Sequence, residues 1–494
     1  MSRRALTLAL LIAALLSTAA SSRRSFETGV VALNVTYQVW DEDRPWAKRA
    51  PQSRRFLATV VEGPYLLTSS QMVADATLIE VEKLGLASRV SAKVTRIDHD
   101  ADLALLSVDA EGFFDDLRPV RLADAVPLEG SVESVRWRAR QIEVSTSRVS
   151  RIEVQPSFTG SVEYPSLFVT TDLRGGGWSE PVFAGGRFVG ITVSQDEQTA
   201  RVLPVDLIAT FLDMAREGEG YPGFASLGIR WQVNEDRAVA EFLGLPGEPR
   251  GIVVTSTPAG GSAHGVLRPK DILVSLDGHA IDGSGYYRHP RYGLLRYTSI
   301  ATNGHRAGDI LRAVVWREGK PLEIDLPLRR ASVELDLVPE RRPETPPAYV
   351  VAGGLLFREL DGAYLRSWGD DWRKKAPVPL LVWQFLFSEE QTSENRRIVI
   401  LSSVMPSAYN MGYHDIGDVA VRSINGRPID SVADVDEAFR HPEGEFHRIA
   451  LYPNPLRSEI ILDATTFERE TSAILEEYRI PDRIRLPRPL PPLW

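Results

Sequence analysis

Three stretches of this 494-residue chain hold the side chains whose types could do chemistry. Residues 171–183 read TDLRGGGWSEPVF, a glycine run, a short polar turn around Trp178, Ser179 and Glu180, then Pro181 and an apolar pair. Residues 98–108, DHDADLALLSV, place Asp102 before a strand-like apolar run, and residues 65–74, YLLTSSQMVA, end another around Gln71. A serine beside an acid would suggest nucleophilic catalysis. A serine hydroxyl, however, is a poor nucleophile until a base takes its proton. Histidine serves because it titrates near neutrality, whereas a glutamine amide does not titrate in that range. Beyond the amino-terminal segment, the first half offers a single histidine, His99.

Other chemistry is thin. There is no H-E-x-x-H and no glycine-rich phosphate loop, so no metal and no cofactor is expected. His441 and His447 read as solvated. The chain has no cysteine, which removes disulfides, thiolate zinc sites and cysteine nucleophiles. A net charge of −9 without a long basic run argues against a nucleic-acid partner.

These stretches need a scaffold. The length suggests about three domains. Residues 1–21 combine a basic start, an apolar run from Ala5 to Leu16 and a small-residue exit, the pattern of a secretory signal; the competing reading is an uncleaved anchor. Residues 28–217 alternate short β-rich runs with turns, as a barrel or sandwich does, closed by a helix over Leu203–Arg216. Residues 217–223, EGEGYPG, read as a linker.

Two further segments repeat one another. DILVSLDGHAI at 271–281 and DVAVRSINGRPI at 418–429 share a strand, Ser-apolar-Asp/Asn-Gly, two residues and Ile. Asp277-Gly278 and Asn425-Gly426 suit tight hairpins. Ser431 is placed to cap a helix with Val432, Val435, Ala438 and Phe439 on one face. Strand, turn, strand and helix is the order found in PDZ domains, which assigns 224–331 and 346–465 to two PDZ-like modules. Residues 337–347 form a proline-rich linker, and 466–494 form a carboxy-terminal helix and proline-rich tail.

The first half resembles the HtrA/Deg serine proteases, which have a chymotrypsin-type fold. Residues 65–74 match the family's strand into its catalytic histidine, T-N-x-H-V-V-A, and the histidine position holds Gln71. Residues 98–108 match D-x-x-x-D-L-A-L-L and align the catalytic aspartate with Asp102. Anchoring G-N-S-G-G-P on Pro181 puts Trp178 at the nucleophile and Ser179 and Glu180 at the two following glycines. A one-residue slip makes Ser179 a fallback nucleophile, still without a base at Gln71. The resemblance therefore implies a mainly β protein: a chymotrypsin-like double β-barrel followed by two PDZ-like α+β domains, with no intact triad. A carboxylate at Glu180 would oppose an oxyanion. In the family His99 falls in a surface turn.

In the PDZ-like modules, Ser226-Leu227-Gly228-Ile229 matches the carboxylate loop, whose N–H groups receive a peptide carboxyl terminus while the peptide adds a strand. Gly354-Leu355-Leu356-Phe357 holds the corresponding place in the second. The segment from Tyr287 to Asp309 and those around Leu337, Tyr349, Tyr364 and Ala376 resemble the long two-PDZ Deg proteases of plants and their bacterial relatives. In that group the second module serves assembly and the proteins oligomerise. The expectation is an exported, periplasmic or extracellular pseudoprotease that binds peptides or unfolded protein in a scaffold, chaperone-like or regulatory role. The alternatives are an active endopeptidase centred on Ser179 and a structural envelope protein.

Overall fold

The computed structural model describes residues 26, 28–84, 86, 88–138, 141–157, 160, 162–172, 177–217, 220–258, 260–330, 336–387, 396–453 and 457–487. Residues 1–21, expected to be a secretory signal, and the tail beyond 487 lie outside them. The chain divides into two compact units. One holds the residues up to Tyr37, Pro51–Thr257 and Gly261–Ala331. The other holds Gln38–Ala50, Pro258–Gly260 and Ser332–Trp494. Residues 38–50 thus leave the domain (28–217) to which the sequence assigns them.

In the first unit, strands β1 (Val30–Tyr37), β2 (Gln52–Val61), β3 (Tyr65–Thr68), β4 (Ala76–Lys83), β5 (Arg89–Asp98) and β6 (Leu103–Val108) close a barrel in the order β1-β2-β3-β6-β5-β4. A second barrel runs β10-β11-β12-β9-β8-β7. Its strands are β7 (Ser131–Arg138), β8 (Gln141–Pro156), β9 (Glu163–Thr170), β10 (Pro181–Ala184), β11 (Arg187–Asp196) and β12 (Thr199–Pro204). Closure leaves neither barrel an open edge. Branched and aromatic side chains fill both: Val31, Leu33, Val81 and Leu106 in the first, Val135, Leu167, Phe188 and Val202 in the second. Each such side chain contributes roughly 1.5–3 kcal/mol on burial. The helix Val205–Arg216 buries Val205, Leu207, Ile208, Phe211, Leu212 and Met214 against the second barrel, the one-sided spacing of an amphipathic helix.

The first PDZ-like sheet runs β13-β14-β15-β19-β20. Its strands are β13 (Arg230–Gln232), β14 (Ile252–Ser256), β15 (Ile272–Leu276), which also pairs with β16 (His279–Ala280), and, after an insertion, β19 (Ile310–Arg317) and β20 (Lys320–Pro327). The insertion holds a hairpin of β17 (Tyr286–His289) and β18 (Gly293–Arg296), then a 3-10 turn, Tyr297–Thr302. That turn stands where PDZ order calls for an α-helix. It is fastened to the second barrel, where Thr302 Oγ1 donates to the Glu163 carbonyl at 2.6 Å. Further bonds tie the module to the barrel domain, among them Tyr292 OH to Asp206 at 2.9 Å and Arg330 Nε to Asp100 at 3.2 Å, and Tyr221 OH in the linker donates to Asp98 at 2.7 Å.

The second unit carries β21 (Tyr349–Ala352), β22 (Leu355–Glu359), β23 (Val399–Val404), β24 (Val419–Ile424), β25 (Arg427–Pro428), β26 (Phe446–Leu451), β27 (Glu459–Asp463) and β28 (Ile484–Arg485). Its sheet runs β27-β26-β24-β23-β22-β21-β28, with β25 on β24. The helix Val432–Phe439 is capped by Ser431 and buries Val432, Val435, Ala438 and Phe439, as the sequence predicts. Asn425 and Gly426, like Asp277 and Gly278, have positive φ, as two-residue hairpins require. Leu337 and Val338 are core residues of this unit rather than free linker. The helix Phe467–Glu477 and β28 extend the module past 465. His447 is buried, not solvated: its ring meets the stacked pair Phe439 and Phe467 edge-on, Asn425 Nδ2 approaches Nδ1 at 3.0 Å, and burial pushes its pKa down to about 4.

The 38–50 segment is held in this unit by charge. Arg358, 1% exposed, donates to the Glu42 carbonyl at 2.7 Å and to Glu42 Oε2 at 2.6 Å. Arg341 joins Glu42 to Asp361. A buried guanidinium is tolerable only when paired and hydrogen-bonded, so Glu42 is a structural requirement of the sheet that holds Arg358.

Candidate functional site

Strand β3 ends at Thr68 and the chain turns through Ser69 into the short helix Ser70–Val73. The β5–β6 turn holds Asp102 with φ of +57°. The turn before β10 delivers Trp178, Ser179 and Glu180. The fold thus brings all three sequence stretches together.

Asp102 is fully buried and one of its oxygens carries every bond. Oδ1 accepts from Ser69 Oγ at 2.7 Å, from Ser70 Oγ at 2.9 Å and from the Gln71 N–H at 3.0 Å. Oδ2 is buried with no hydrogen-bond partner among the described residues. Burial pushes this carboxyl above its usual range, against the pull of the three donors. His99 lies near enough to act on Asp102 electrostatically, and it is buried rather than on a surface turn.

Ser179 is also fully buried. Its hydroxyl shares a hydrogen bond with Thr68 Oγ1 at 2.7 Å and accepts the Ser69 N–H at 3.2 Å. Its own N–H donates to the Thr192 carbonyl at 2.7 Å. Among the described residues, no imidazole, amine or carboxylate touches this hydroxyl. Its φ of +58° lies in the left-handed region that favours glycine. Trp178 beside it is half-buried.

The Glu180 carboxylate, which the sequence reading sets against an oxyanion, is paired in the structure. Arg136 Nη2 donates to Glu180 Oε2 at 3.0 Å and to Gln195 Oε1 at 3.0 Å, and the Gly177 N–H reaches Glu180 Oε1 at 3.3 Å. Burial pushes the Glu180 carboxyl up, while Arg136 and Gly177 pull it down. Gly175 and Gly176 of the glycine run before Trp178 lie outside the described residues. Arg136 was not legible beforehand. It sits in an ordinary β-rich run, 44 residues from its partner, with no local sign of the pair.

The two PDZ-like loops part company. In the first module Ser226 and Ile229 are half-buried and Leu227 is buried, while Gly228 has φ of +59° and lies so close to Gly261 that a Cβ would stand 2.4 Å from its Cα. Ser262 fixes the loop: its Oγ donates to the Ser226 carbonyl at 2.6 Å and accepts the Arg329 N–H at 2.8 Å. The strand that follows, β13, is an edge strand of its sheet.

In the second module the expectation for Gly354, Leu355, Leu356 and Phe357 does not survive. Gly353 and Gly354, with φ of +60° and +83°, form a tight hairpin turn between β21 and β22. Strand β22 pairs with β21 on one side and β23 on the other. Leu355, Leu356 and Phe357 are buried, and a strand with both edges paired cannot accept another.

A PDZ domain family matches residues 338–484. Among curated proteins, the putative protease Do-like 13 of Arabidopsis thaliana is 24% identical over 442 residues, covering 88% of this chain and 84% of that protein. The chloroplastic protease Do-like 2 of the same plant is 28% identical over 419 residues, covering 83% and 67%. Among solved structures, the HtrA-type protease AlgW with a decapeptide aligns at 19% identity with a TM-score of 0.46, over 62% of this chain and 97% of that one. With these relatives beside its two closed barrels and PDZ-type sheets, the chain belongs to the HtrA/Deg family and carries a PDZ domain.

Proposed function

We propose that this protein is an exported HtrA/Deg pseudoprotease that binds peptides or unfolded chains through its first PDZ-like module, in a scaffold, chaperone-like or regulatory role. The observation that carries this is the hydroxyl of Ser179. It is buried and engaged by Thr68 and Ser69, while Gln71 stands at the histidine position and Trp178 at the nucleophile position. Loss of a triad serine or histidine costs ~10⁶ in turnover, roughly 8 kcal/mol of barrier. The positive φ at Ser179 fits a site that is glycine in active relatives, which favours Trp178 as the residue in the nucleophile's place. Binding rests on the edge strand β13 and the loop Ser226–Ile229 before it, a geometry suited to strand addition with carboxylate capture.

The test is incubation of the mature chain with an unfolded protein, beside Ser179→Ala and the double variant Gln71→His, Trp178→Ser. No cleavage by the wild type is expected. Cleavage that vanishes in Ser179→Ala would mean a rebuilt active site and overturn the proposal. Cleavage by the double variant alone would mean that the barrel framework still supports the chemistry once its base and nucleophile return.

A further inference from the structure

The peptide-receiving edge has a cation poised on it. Arg296 ends β18, immediately before the 3-10 turn. Its guanidinium lies 5.4 Å from the centroid of the Trp231 ring on β13 and 5.1 Å from that of Tyr286, and its Nη2 donates to Tyr286 OH at 3.3 Å. The Trp231 ring is fixed in turn. Tyr297 meets it edge-on at 5.6 Å, and Gly285 (φ +83°) packs so close that a Cβ there would stand 2.7 Å from it. Among the described residues no carboxylate lies within ion-pair distance of Arg296, whereas four other arginines of this module are so paired: Arg237 with Glu248, Arg306 with Glu217, Arg317 with Asp271, Arg330 with Asp100.

The register of strand addition says what this guanidinium would meet. A peptide whose carboxyl end reaches the loop Ser226–Ile229 must run antiparallel to β13, because β13 leads away from that loop. With its last residue beside Ile229, its third-from-last residue falls beside Trp231. Residues directly opposite in an antiparallel pair project to the same face, and alternate residues share it. The side chain two places before the carboxyl terminus therefore points to the face that holds Trp231, Tyr297 and Arg296.

We propose that the first PDZ-like module selects peptides with an acidic side chain two residues before an apolar carboxyl-terminal residue, and that Arg296 is the specificity-determining group. The inference rests on the peptide-binding reading above and names the ligand class for it. A guanidinium already held by two rings loses little freedom on pairing, and a charge-assisted hydrogen bond to a carboxylate is among the stronger polar contacts.

The test uses the full chain and labelled hexapeptides ending in Glu-Ala-Leu or Gln-Ala-Leu, each as free acid and as carboxyl-terminal amide, with binding followed by fluorescence anisotropy. The expected result is about tenfold tighter binding of the Glu peptide, with the difference gone in Arg296→Gln and the melting temperature of that variant close to wild type. Amidation should abolish binding of both. Equal affinity for the two free acids overturns the acidic selectivity while leaving the carboxylate-receiving loop intact. Binding that ignores amidation, or no binding of any peptide, overturns the loop reading and the inference with it.

Discussion

Strand β13 follows the loop Ser226–Ile229, and β22 takes in most of the corresponding stretch Gly354–Phe357, yet one ends as an open edge and the other as an interior strand. Before β13 the chain makes an isolated bridge, Ala225 to Arg330, and among the described residues no strand pairs with the far side of β13. Before β22 the chain has already laid down Tyr349–Ala352, and Gly353-Gly354 folds that strand back onto it, pairing Val350 with Phe357 and Val351 with Leu356. In the second module the chain itself supplies the strand that a peptide would add. A loop motif therefore reports a binding edge only when no preceding segment can reach the edge.

The largest expected effect tests whether the second module is a closed, self-completed body. Glu42→Ala leaves the fully buried guanidinium of Arg358 without its carboxylate and should cost roughly 3–5 kcal/mol. Urea unfolding should show it as loss of the second unit's transition at lower denaturant. A change below about 1 kcal/mol would mean that the segment 38–50 is dispensable there.

Gly354→Val attacks the closing hairpin directly. The residue has φ of +83°, and its Cβ would stand 2.3 Å from Asn410 Nδ2 and 2.9 Å from the Met405 carbonyl. Strain of this kind costs on the order of 1–3 kcal/mol. The melting temperature should fall and amide exchange should quicken over Tyr349–Glu359. Unchanged protection in β21 and β22 would remove the contrast between the modules.

The third effect is one of pH. His447 is held neutral, with its pKa pushed down to about 4 from an unfolded value near 6.5. Between those values the unfolded chain binds the extra proton, so stability rises with pH. The contribution is complete above about pH 6.5 and is lost as the pH falls toward 4. The groups acting on the ring are Glu468 and Arg483, and their effects on it oppose one another. His447→Gln should flatten this part of the stability profile; an unaltered slope would show that another group carries it.

Much of the fold was legible because its signals are local. Alternating β runs, the one-sided helix Val205–Arg216, the Ser431 cap and the Asp-Gly and Asn-Gly hairpins each depend on residues within a turn or two of one another. The three stretches that the fold brings together were legible for the same reason, since Gln71, Asp102 and Trp178 each lie in a short contiguous stretch.

The sequence by itself determined the β class, the repeat of two modules and the absence of a base at Gln71. Tertiary structure alone decided the rest. It paired Glu180 with Arg136 and buried Ser179 on Thr68. It drew residues 38–50 onto Arg358, closed the edge at Leu355–Phe357 and set Arg296 over Trp231. These outcomes join residues distant in sequence, or depend on which strand reaches an edge first. Burial and charge pairing act on spatial neighbours, and no local pattern encodes who those neighbours are.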